Sequence, residues 1–520
     1  MITIGTQEEL DTALYTVNLH LLANDQWRLR TQGQQDVELN GGNFEFSLSF
    51  GKLIFSFWTD DKSQSWRVTA YQIKNNALRL QVARQMGQSR ATFEIRPLSE
   101  TADDQEISLS IKERRRHFEA RLAVLVESHF PGCRIERSVT RRDDWRQLSG
   151  IYTRLIIDWR GRKLVGIGVN PDESQGNIDG LLAAGIIWFD RASTALRERA
   201  PNKLLLFAPE QRATLIAERL TAIKSTPAIE LYEYDQEMRD LVLVRPFDQG
   251  DLALTLSRNY YWFDQSKAVR DTYSDQIAKL APDIIDVRVK PEFDSLTILG
   301  LEFARCYTGK WSRIEFGFGE DRQILTVNKW PQLESLIDDI VRIRTANSSE
   351  RQHPYYTLQG ESWLATQIQR DINSLDPDLD DRYVYSQVPA YKGEDRGYVD
   401  VLTVTRSGQL VVIELKVSED PELPFQGLDY WLRVDWHRLN GEFIRRGFFP
   451  DIALSNEPPR LYLVAPLFRF HKTFPLLAHS VDTRVPIWRI GLNDNWRSGI
   501  RVLCRERIDQ LQSDSIANEF

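Results

Sequence analysis

The sequence contains an internal repeat, and this repeat limits the possible folds more than any other feature of the chain. The same landmarks occur twice in one order: a helix, two strands around a short turn, a Gln-Gly pair that opens a helix, and a strand ending in Ala-Pro. They lie within residues 119–209 and again within residues 361–466. Strands and helices that alternate in this way predict an α/β unit built on a mixed sheet. Five landmarks at similar spacing favour a duplication over two chance occurrences of a generic pattern.

The surrounding patterns divide the rest of the chain. Residues 42–97 alternate polar and apolar side chains with period two between short turns, which predicts a β-rich module. The polar stretch at 345–350 indicates a linker before the second copy. The predicted fold class is therefore α/β (α+β mixed sheet), with two αβ domains and an N-terminal β-rich module. The predicted boundaries are 1–110 for the β-rich module, 111–240 for the first αβ domain, 241–350 for an α/β connecting module and 351–520 for the second αβ domain.

Composition and charge exclude several classes of protein. Of the 520 residues, 42% are hydrophobic and 27% are charged, which is the usage of a globular protein. The 66 Lys and Arg against 74 Asp and Glu leave a net charge of −8, which excludes a uniformly basic nucleic-acid coat but permits a local basic groove. Three scattered cysteines exclude a disulfide scaffold. We expect a cytoplasmic protein with no membrane association, because the first residues do not resemble a signal peptide and no apolar run reaches the ~20 residues of a membrane span.

A predicted hairpin in the second copy determines how its polar residues are arranged. The segments 399–405 and 409–417 read as strands on either side of a three-residue loop. The loop ends in Gly408, which suits a type I turn followed by a left-handed residue. This turn pairs Thr405 with Gln409, so the register of the whole hairpin follows from it.

The same register, continued along the hairpin, brings two acids and an amine together. It pairs Asp400 with Glu414, and Lys416 lies two residues further on and points to the same face. Directly opposed residues lie ~5 Å apart, near enough for two carboxylates to hold one divalent cation. Burying such charges at the end of an apolar hairpin is costly unless they have a task.

This Asp…Glu-x-Lys arrangement resembles that of the PD-(D/E)xK nuclease superfamily, whose fold is the restriction-endonuclease-like fold, over residues 351–495. The resemblance implies that Asp400 and Glu414 bind Mg²⁺ or Mn²⁺, with the backbone carbonyl of Leu415 as a further ligand. It also implies that Lys416 orients or activates the attacking water.

Further residues around the hairpin fit the same resemblance. Glu361, on the preceding predicted helix, stands where the family carries a supporting Glu. Gln426 and Tyr430, four residues apart on the following helix, match the Gln-x-x-x-Tyr element of the RecB-like and lambda-exonuclease-like branch, where the pair helps to bind the substrate strand. One departure is visible, because Val399 stands where the family has a proline.

Basic and aromatic residues follow on the Gln426 helix. Arg433 and Arg438 are candidate substrate-binding residues that would line a strand-binding groove. Trp431 and Trp436 lie among them, and core packing is favoured over base stacking for both.

The first copy lacks the acids. The alignment of the two copies places Arg154, Gly168 and Asn170 where the second has Asp400, Glu414 and Lys416. The resemblance therefore implies a degenerate copy without a metal site. Its basic residues either contact phosphates or form a solvated face paired with nearby acids, and these residues are Arg114, Arg115, Arg116, Arg141, Arg142 and Arg146.

We therefore expect a Mg²⁺-dependent nuclease that acts on nucleic acid, DNA in preference to RNA, in repair or in defence. The alternatives are a non-catalytic nucleic-acid-binding or scaffold subunit built from nuclease-like folds, and a restriction-like enzyme whose N-terminal module binds a partner protein. The sequence contains no Walker A loop, so any unwinding or targeting would be supplied by a protein partner. Endonuclease and exonuclease activity both stay open.

Overall fold

The computed structural model describes residues 111–140, 150–235, 237–247, 272–289, 293–307, 313–318, 322–392 and 395–508, and within residues 2–97 it describes the strands and some helical residues. The chain forms two compact units. One is Met1–Asp248 with Gly393–Arg396, and the other is Gln249–Lys392 with Gly397–Phe520. In the described part of the chain, no helix combines the length and the apolar character needed to cross a membrane.

The helices, in chain order, are α1 (Ile111–His129), α2 (Gln175–Asp179), α3 (Leu181–Leu196), α4 (Thr214–Leu220), α5 (Thr272–Ala278), α6 (Trp330–Ile343), α7 (Pro354–Thr357), α8 (Gly360–Arg370), α9 (Ile372–Leu375), α10 (Leu423–Leu439), α11 (Glu442–Arg445) and α12 (Phe474–Ser480). The strands of the first unit are β1 (Ile2–Thr3), β2 (Gln26–Thr31), β3 (Val37–Asn40), β4 (Phe44–Ser49), β5 (Lys52–Thr59), β6 (Lys62–Lys74), β7 (Ala77–Arg84), β8 (Ser89–Pro97), β9 (Cys133–Val139), β10 (Tyr152–Trp159), β11 (Arg162–Val169), β12 (Lys203–Pro209), β13 (Ala228–Tyr234) and β14 (Leu241–Val244). The remaining strands are β15 (Ile285–Val289), β16 (Phe293–Ile298), β17 (Leu301–Tyr307), β18 (Arg313–Phe316), β19 (Gln323–Ile324), β20 (Tyr385–Lys392), β21 (Asp395–Val404), β22 (Leu410–Leu415), β23 (Arg460–Pro466), β24 (Ile487–Leu492) and β25 (Val502–Arg507).

The N-terminal module is an eight-stranded sheet in the order β3-β2-β8-β7-β6-β5-β4, with β1 paired to β6. Inward-facing aromatic rings fill its core, where Phe55 stacks on Phe46 and Phe93 lies edge-on to Phe55. The period-two alternation of this segment places those rings on one face. The predicted β-rich module is confirmed.

The first mixed sheet has the order β14-β13-β12-β11-β10-β9. Strands β9, β10 and β11 are antiparallel neighbours, β11, β12 and β13 are parallel, and β14 is antiparallel to β13. Helix α1 covers one face, where Leu122 belongs to the same apolar core as Leu155 and Phe207. Helix α3 covers the other face, where Gly185 lies close to Leu206.

The second unit contains a five-stranded antiparallel sheet and a second mixed sheet. The five-stranded sheet has the order β15-β16-β17-β18-β19, and α5 and α6 contribute Ile277, Leu333 and Ile337 to its core. Its β16–β17 turn contains Gly300 at φ +79°, a backbone conformation that favours glycine.

The second mixed sheet repeats the topology of the first. Its order is β20-β21-β22-β23-β24-β25, with β21 antiparallel to β22, β22, β23 and β24 parallel, and β25 antiparallel. Helix α8 contributes Trp363 and Leu364 to the core on one face of this sheet. Helix α10 lies on the other face, where Gly427 approaches Leu461 and Leu463 of β23. The predicted fold class and the repeated strand order are confirmed.

Candidate active site at the edge of the second mixed sheet

The β21–β22 hairpin has the register that the sequence predicts. Val401 lies opposite Ile413, and the N–H of Thr405 donates to the carbonyl of Gln409 at 2.8 Å. Asp400 and Glu414 are the next residues along the two strands beyond this pair.

Backbone and side-chain donors fix the carboxylate of Asp400. The Leu415 N–H donates to Asp400 Oδ2 at 2.9 Å, and Gln387 Nε2 donates to Oδ1 at 3.4 Å. The N–H and C=O of an extended residue point to the same side of a strand, so the Leu415 carbonyl also faces the strand that carries Asp400. This places the predicted backbone ligand on the side of the Asp400 carboxylate.

Lys416 connects the acid pair to helix α8. Its Nζ lies 3.1 Å from Glu414 Oε1 and 3.9 Å from Glu361 Oε1. Glu361 also accepts a hydrogen bond from the Val417 backbone N–H. Glu414 is 3% exposed, whereas 42% of the Glu361 side chain is exposed. The structure thus brings together all four predicted catalytic residues, with Glu361 at the solvent side.

The electrostatics show that the acid pair is under repulsion. Burial raises the pKa of Asp400 well above its ordinary value, and the charge of Glu414 raises it further, although Lys416 acts in the opposite sense. Burial lowers the pKa of Lys416, but Glu414, Glu361 and Asp400 outweigh it, so the net pKa is raised. The ammonium therefore stays charged among three carboxyl groups, and a divalent cation would relieve the repulsion between Asp400 and Glu414.

The two predicted strand-binding residues of α10 lie near this cluster. Burial raises the pKa of Tyr430 well above its ordinary value, with further contributions from Glu414 and Asp400 that indicate how near the phenol lies to the acids. Gly397 makes room for the ring, since a Cβ there would lie 2.9 Å from Tyr430 Cε1. Gln426 Nε2 donates to Asp420 Oδ2 at 3.1 Å, in the loop after β22.

The basic and indole side chains further along α10 make internal contacts. Arg433 is 1% exposed, and Arg438 donates to Asp435 and to the Asn456 carbonyl, each at 2.7 Å. Trp431 Nε1 donates to the Pro459 carbonyl at 2.6 Å, which agrees with the favoured core role. The predicted substrate contacts of Arg433 and Arg438 stay predictions, and the positions found here favour structural roles.

The residues present fit a hard divalent cation. No group of three or more His, Cys, Asp or Glu side chains with metal-binding geometry occurs in the ranges that the structure describes. Mg²⁺ does not need one, because it is commonly held by one or two carboxylates and keeps several waters. Asp400, Glu414 and the Leu415 carbonyl supply oxygen ligands only, which suits Mg²⁺ or Mn²⁺ and not Zn²⁺.

Sequence reasoning missed Gln387, on the neighbouring strand β20. It adopts φ +56°, a left-handed conformation that is uncommon for a residue with a side chain, and its amide reaches Asp400. Strained residues of this kind cluster at functional sites. No sequence signal identifies it, because the strain depends on how β20 lies beside β21.

The first mixed sheet differs from its predicted alignment by one residue. Arg154 lies opposite Ile167, and Gly168 lies opposite Thr153. Gly168 faces α1, since a Cβ there would lie 2.5 Å from a leucine of that helix, whereas Ile167 faces α3. The position that matches Glu414 is therefore Ile167, and the placement of Gly168 there is wrong.

Two further equivalences change with this shift. Lys416 matches Val169, and the predicted match, Asn170, instead donates through Nδ2 to the Arg114 carbonyl at 3.2 Å. Gly427, which packs on β23, corresponds in its contacts to Gly185, whereas a Cβ on Gly176 would meet no atom within 4 Å. The two Gln-Gly pairs are therefore not equivalent, although the conclusion that the first copy lacks an acid pair is unchanged.

Basic residues of α1 are paired with acids that follow β11. Arg114 Nη1 lies 3.3 Å from Asp172 Oδ2, and Arg115 lies 2.7 Å from Glu173. This agrees with the reading of a paired face, although the partners are not the predicted Asp143 and Asp144. Arg141, Arg142 and Arg146 lie outside the described residues.

Comparison with known proteins places the chain in no family. No protein-family model matches it, and no curated protein matches it. Among solved structures, it is similar to an EndoMS–dsDNA2 complex, at a TM-score of 0.17 and 16% sequence identity, over 48% of this chain and 97% of that chain. A similarity this weak decides neither the fold nor the function of this chain.

Proposed function

We propose that this chain is a metal-dependent nuclease of the PD-(D/E)xK type that hydrolyses phosphodiester bonds in DNA. The observation that supports the proposal is the proximity of two acids and an amine. The charge of Glu414 raises the pKa of Asp400, and Lys416 Nζ lies 3.1 Å from Glu414 Oε1. A scaffold without chemistry gains nothing from a buried carboxylate, that of Glu414, and a partly buried one, that of Asp400, that repel each other.

Asp400, Glu414 and the Leu415 carbonyl would hold the cation, and the Leu415 N–H fixes one oxygen of Asp400 for this role. The bound cation would lower the pKa of a water ligand and stabilise negative charge on the phosphate.

Lys416 would act on the water and on the phosphate oxygens. Its ammonium has three donors, and Glu414 takes one of them at 3.1 Å. Its raised pKa keeps it protonated, so it serves as a hydrogen-bond donor that orients the water and not as a base. Glu361, at 3.9 Å, positions the ammonium from the solvent side.

Gln426 and Tyr430 would contact the strand near the cation. Tyr430 lies near Glu414 and Asp400, and Gln426 is held by Asp420. The pair is therefore assigned as substrate-positioning residues.

The test is cleavage of linear and circular DNA, and of RNA, by the purified chain. We expect cleavage of DNA with Mg²⁺ or Mn²⁺ and none with a chelator. Asp400→Asn and Glu414→Gln should abolish cleavage, and Lys416→Met should lower the rate by about 10²–10³. DNA binding should survive all three changes.

Asp378→Asn is the matched control, because Asp378 pairs with Arg460 at the start of β23, away from the acid pair. It should cleave at the wild-type rate. Full turnover by the Glu414→Gln variant would show that the assignment is wrong. A wild-type protein that binds DNA but never cleaves it would favour the non-catalytic alternative.

A further inference from the structure

Arg497 lies in the turn after β24, and aromatic rings hold its guanidinium in place. The group lies 4.2 Å from the ring centroid of Trp496, 4.9 Å from that of Tyr356 and 5.0 Å from that of Trp363. The ring of Trp363 is nearly perpendicular to those of Tyr356 and Trp496, so the three rings confine the guanidinium from more than one direction.

These donors have no protein acceptor among the residues that the structure describes. Arg497 has neither a carboxylate partner nor a hydrogen bond there, and its Nε is buried without an acceptor. Buried polar groups in folded proteins nearly always find a partner, so an orphaned guanidinium nitrogen needs an explanation.

The surroundings of Arg497 are cationic. Burial and the charge of Arg351 lower the pKa of Arg497, and burial and the charge of Arg497 lower the pKa of Arg344 to about 9. Arg344 differs from Arg497 because it donates to four backbone carbonyls, those of Leu299, Tyr355, Leu358 and Gln359. Unlike Arg344, Arg497 combines unsatisfied donors with a positive neighbour, and an anion would supply an acceptor and negative charge.

Arg497 also lies beside the candidate active site. A Cβ on Gly360 would lie 3.7 Å from Arg497 Nη2 and 3.1 Å from Val417 Cγ2. Gly360 precedes Glu361, and Val417 follows Lys416 and donates to Glu361. The guanidinium is therefore at the same end of α8 as the acid and lysine cluster.

We propose that Arg497 binds a phosphate group of the nucleic-acid strand that occupies this site, an inference that rests on the proposed function. A guanidinium presents two parallel N–H donors that match two phosphate oxygens. The rings orient the fork in advance, and the phosphate supplies the acceptor and the negative charge that the protein does not. Arg497 is thus assigned as a substrate-binding residue, outside the known sequence motif of the acid pair.

The experiment measures binding of a fluorescein-labelled DNA oligonucleotide by anisotropy, over a range of salt concentrations and in the presence of a chelator. Arg497→Ala should weaken binding by about tenfold and lower the slope of log affinity against log salt by about one. Arg497→Lys should keep the slope, because it keeps the charge, but bind more weakly than wild type, because it loses the fork.

Arg313→Ala is the matched control, since Arg313 also stacks on a ring, that of Tyr307 at 4.3 Å, but is paired with Glu315. It should leave affinity and slope unchanged. The inference is overturned if Arg497→Ala keeps the wild-type affinity and slope, or if the wild-type chain binds no DNA. It is also overturned if Arg497→Ala lowers both the affinity and the unfolding temperature while the salt slope is unchanged.

Binding is measured without divalent cations, so the outcome is independent of cleavage. A chain that shows the expected dependence on Arg497 and never cleaves DNA would support this inference and contradict the proposed activity. A chain that cleaves DNA, and whose Arg497→Ala variant binds DNA as tightly as wild type, would support the proposed activity and contradict this inference.

Discussion

At the scale of single residues, the acid pair of the β21–β22 hairpin is electrostatically unfavourable. Asp400 lies near Glu414, and burial together with the charge of Glu414 raises the pKa of Asp400. The ammonium of Lys416 offsets part of the repulsion between the two acids, but it also interacts with the carboxylate of Glu361. The two acids therefore form a locally unfavourable arrangement of charge.

We predict that Asp400→Asn raises the stability of the metal-free protein at neutral pH. Because its folded pKa is raised, Asp400 stabilises the fold fully below its ordinary pKa of 3.8, and this contribution is lost as the pH rises through the raised value. The asparagine amide does not ionise, so the variant should not lose this stability as the pH rises from 3.8 through the raised pKa. The difference in unfolding free energy between the two proteins should be about 1.4 kcal/mol per unit of pKa shift.

Thermal unfolding in a chelator, over about pH 4–9, measures this difference. Added Mg²⁺ should raise the unfolding temperature of the wild type and not that of Asp400→Asn. Parallel pH profiles for the two proteins would contradict the raised pKa.

Gln387 gives a second prediction at this scale. Glycine tolerates the φ of +56° at this position, so Gln387→Gly removes backbone strain of about 1 kcal/mol and introduces a similar entropic cost. The unfolding temperature should change little, whereas cleavage should fall by about tenfold because Asp400 loses an amide donor. Cleavage at the wild-type rate would show that the Gln387 amide has no part in the site.

At the scale of elements, helix α10 is placed by a glycine at its interface with β23. A Cβ on Gly427 would lie 2.5 Å from Leu463 Cδ2 and 3.1 Å from Leu461 Cδ1, so the helix approaches the sheet more closely than any larger residue permits. Gln426 and Tyr430 depend on this approach, since both are carried by the same helix.

We predict that Gly427→Ala destabilises the protein by about 1–3 kcal/mol, because the new methyl group overpacks the helix–sheet interface. Gly176→Ala should not destabilise it, since no atom lies within 4 Å of the new Cβ. Both glycines follow a glutamine, so equal effects in chemical unfolding would contradict the different environments described here.

The elements also show what the sequence could predict. The β21–β22 register was predictable because the loop at Gly408 fixes it and side chains alternate strictly along both strands. The one-residue shift in the first sheet was not, because Gly166 and Gly168 leave gaps in the apolar alternation of β11. The contacts of Gln387 and Arg497 could not be predicted from the sequence either, because they join segments that are distant along the chain.

At the scale of the whole molecule, one topology occurs twice with different chemistry at the matching strand positions. The first sheet pairs Arg154 with Ile167, where the second carries Asp400 and Glu414, the residues next to the paired Val401 and Ile413. An arginine and an isoleucine supply no oxygen ligand through their side chains. The first sheet therefore keeps the architecture of the second without its two carboxylates.

We predict that divalent cations bind only to the second sheet. Calorimetric titration with Mn²⁺ should give binding in the wild type that Glu414→Gln abolishes completely, at one site of one or two ions per chain. Arg154→Ala, as the control, should leave the stoichiometry unchanged. Residual stoichiometric binding in Glu414→Gln would reveal a second centre.

The buried guanidinium of Arg344 affects where the chain can be divided. It bonds to carbonyls of Leu299 in the β16–β17 turn and of Gln359 at the start of α8, and Gly300 lies against the backbone of Ser362. A fragment that begins at residue 351 would lose both the arginine and the turn, and with them the support of the helix that carries Glu361. A fragment that keeps this support of α8 therefore includes the five-stranded sheet.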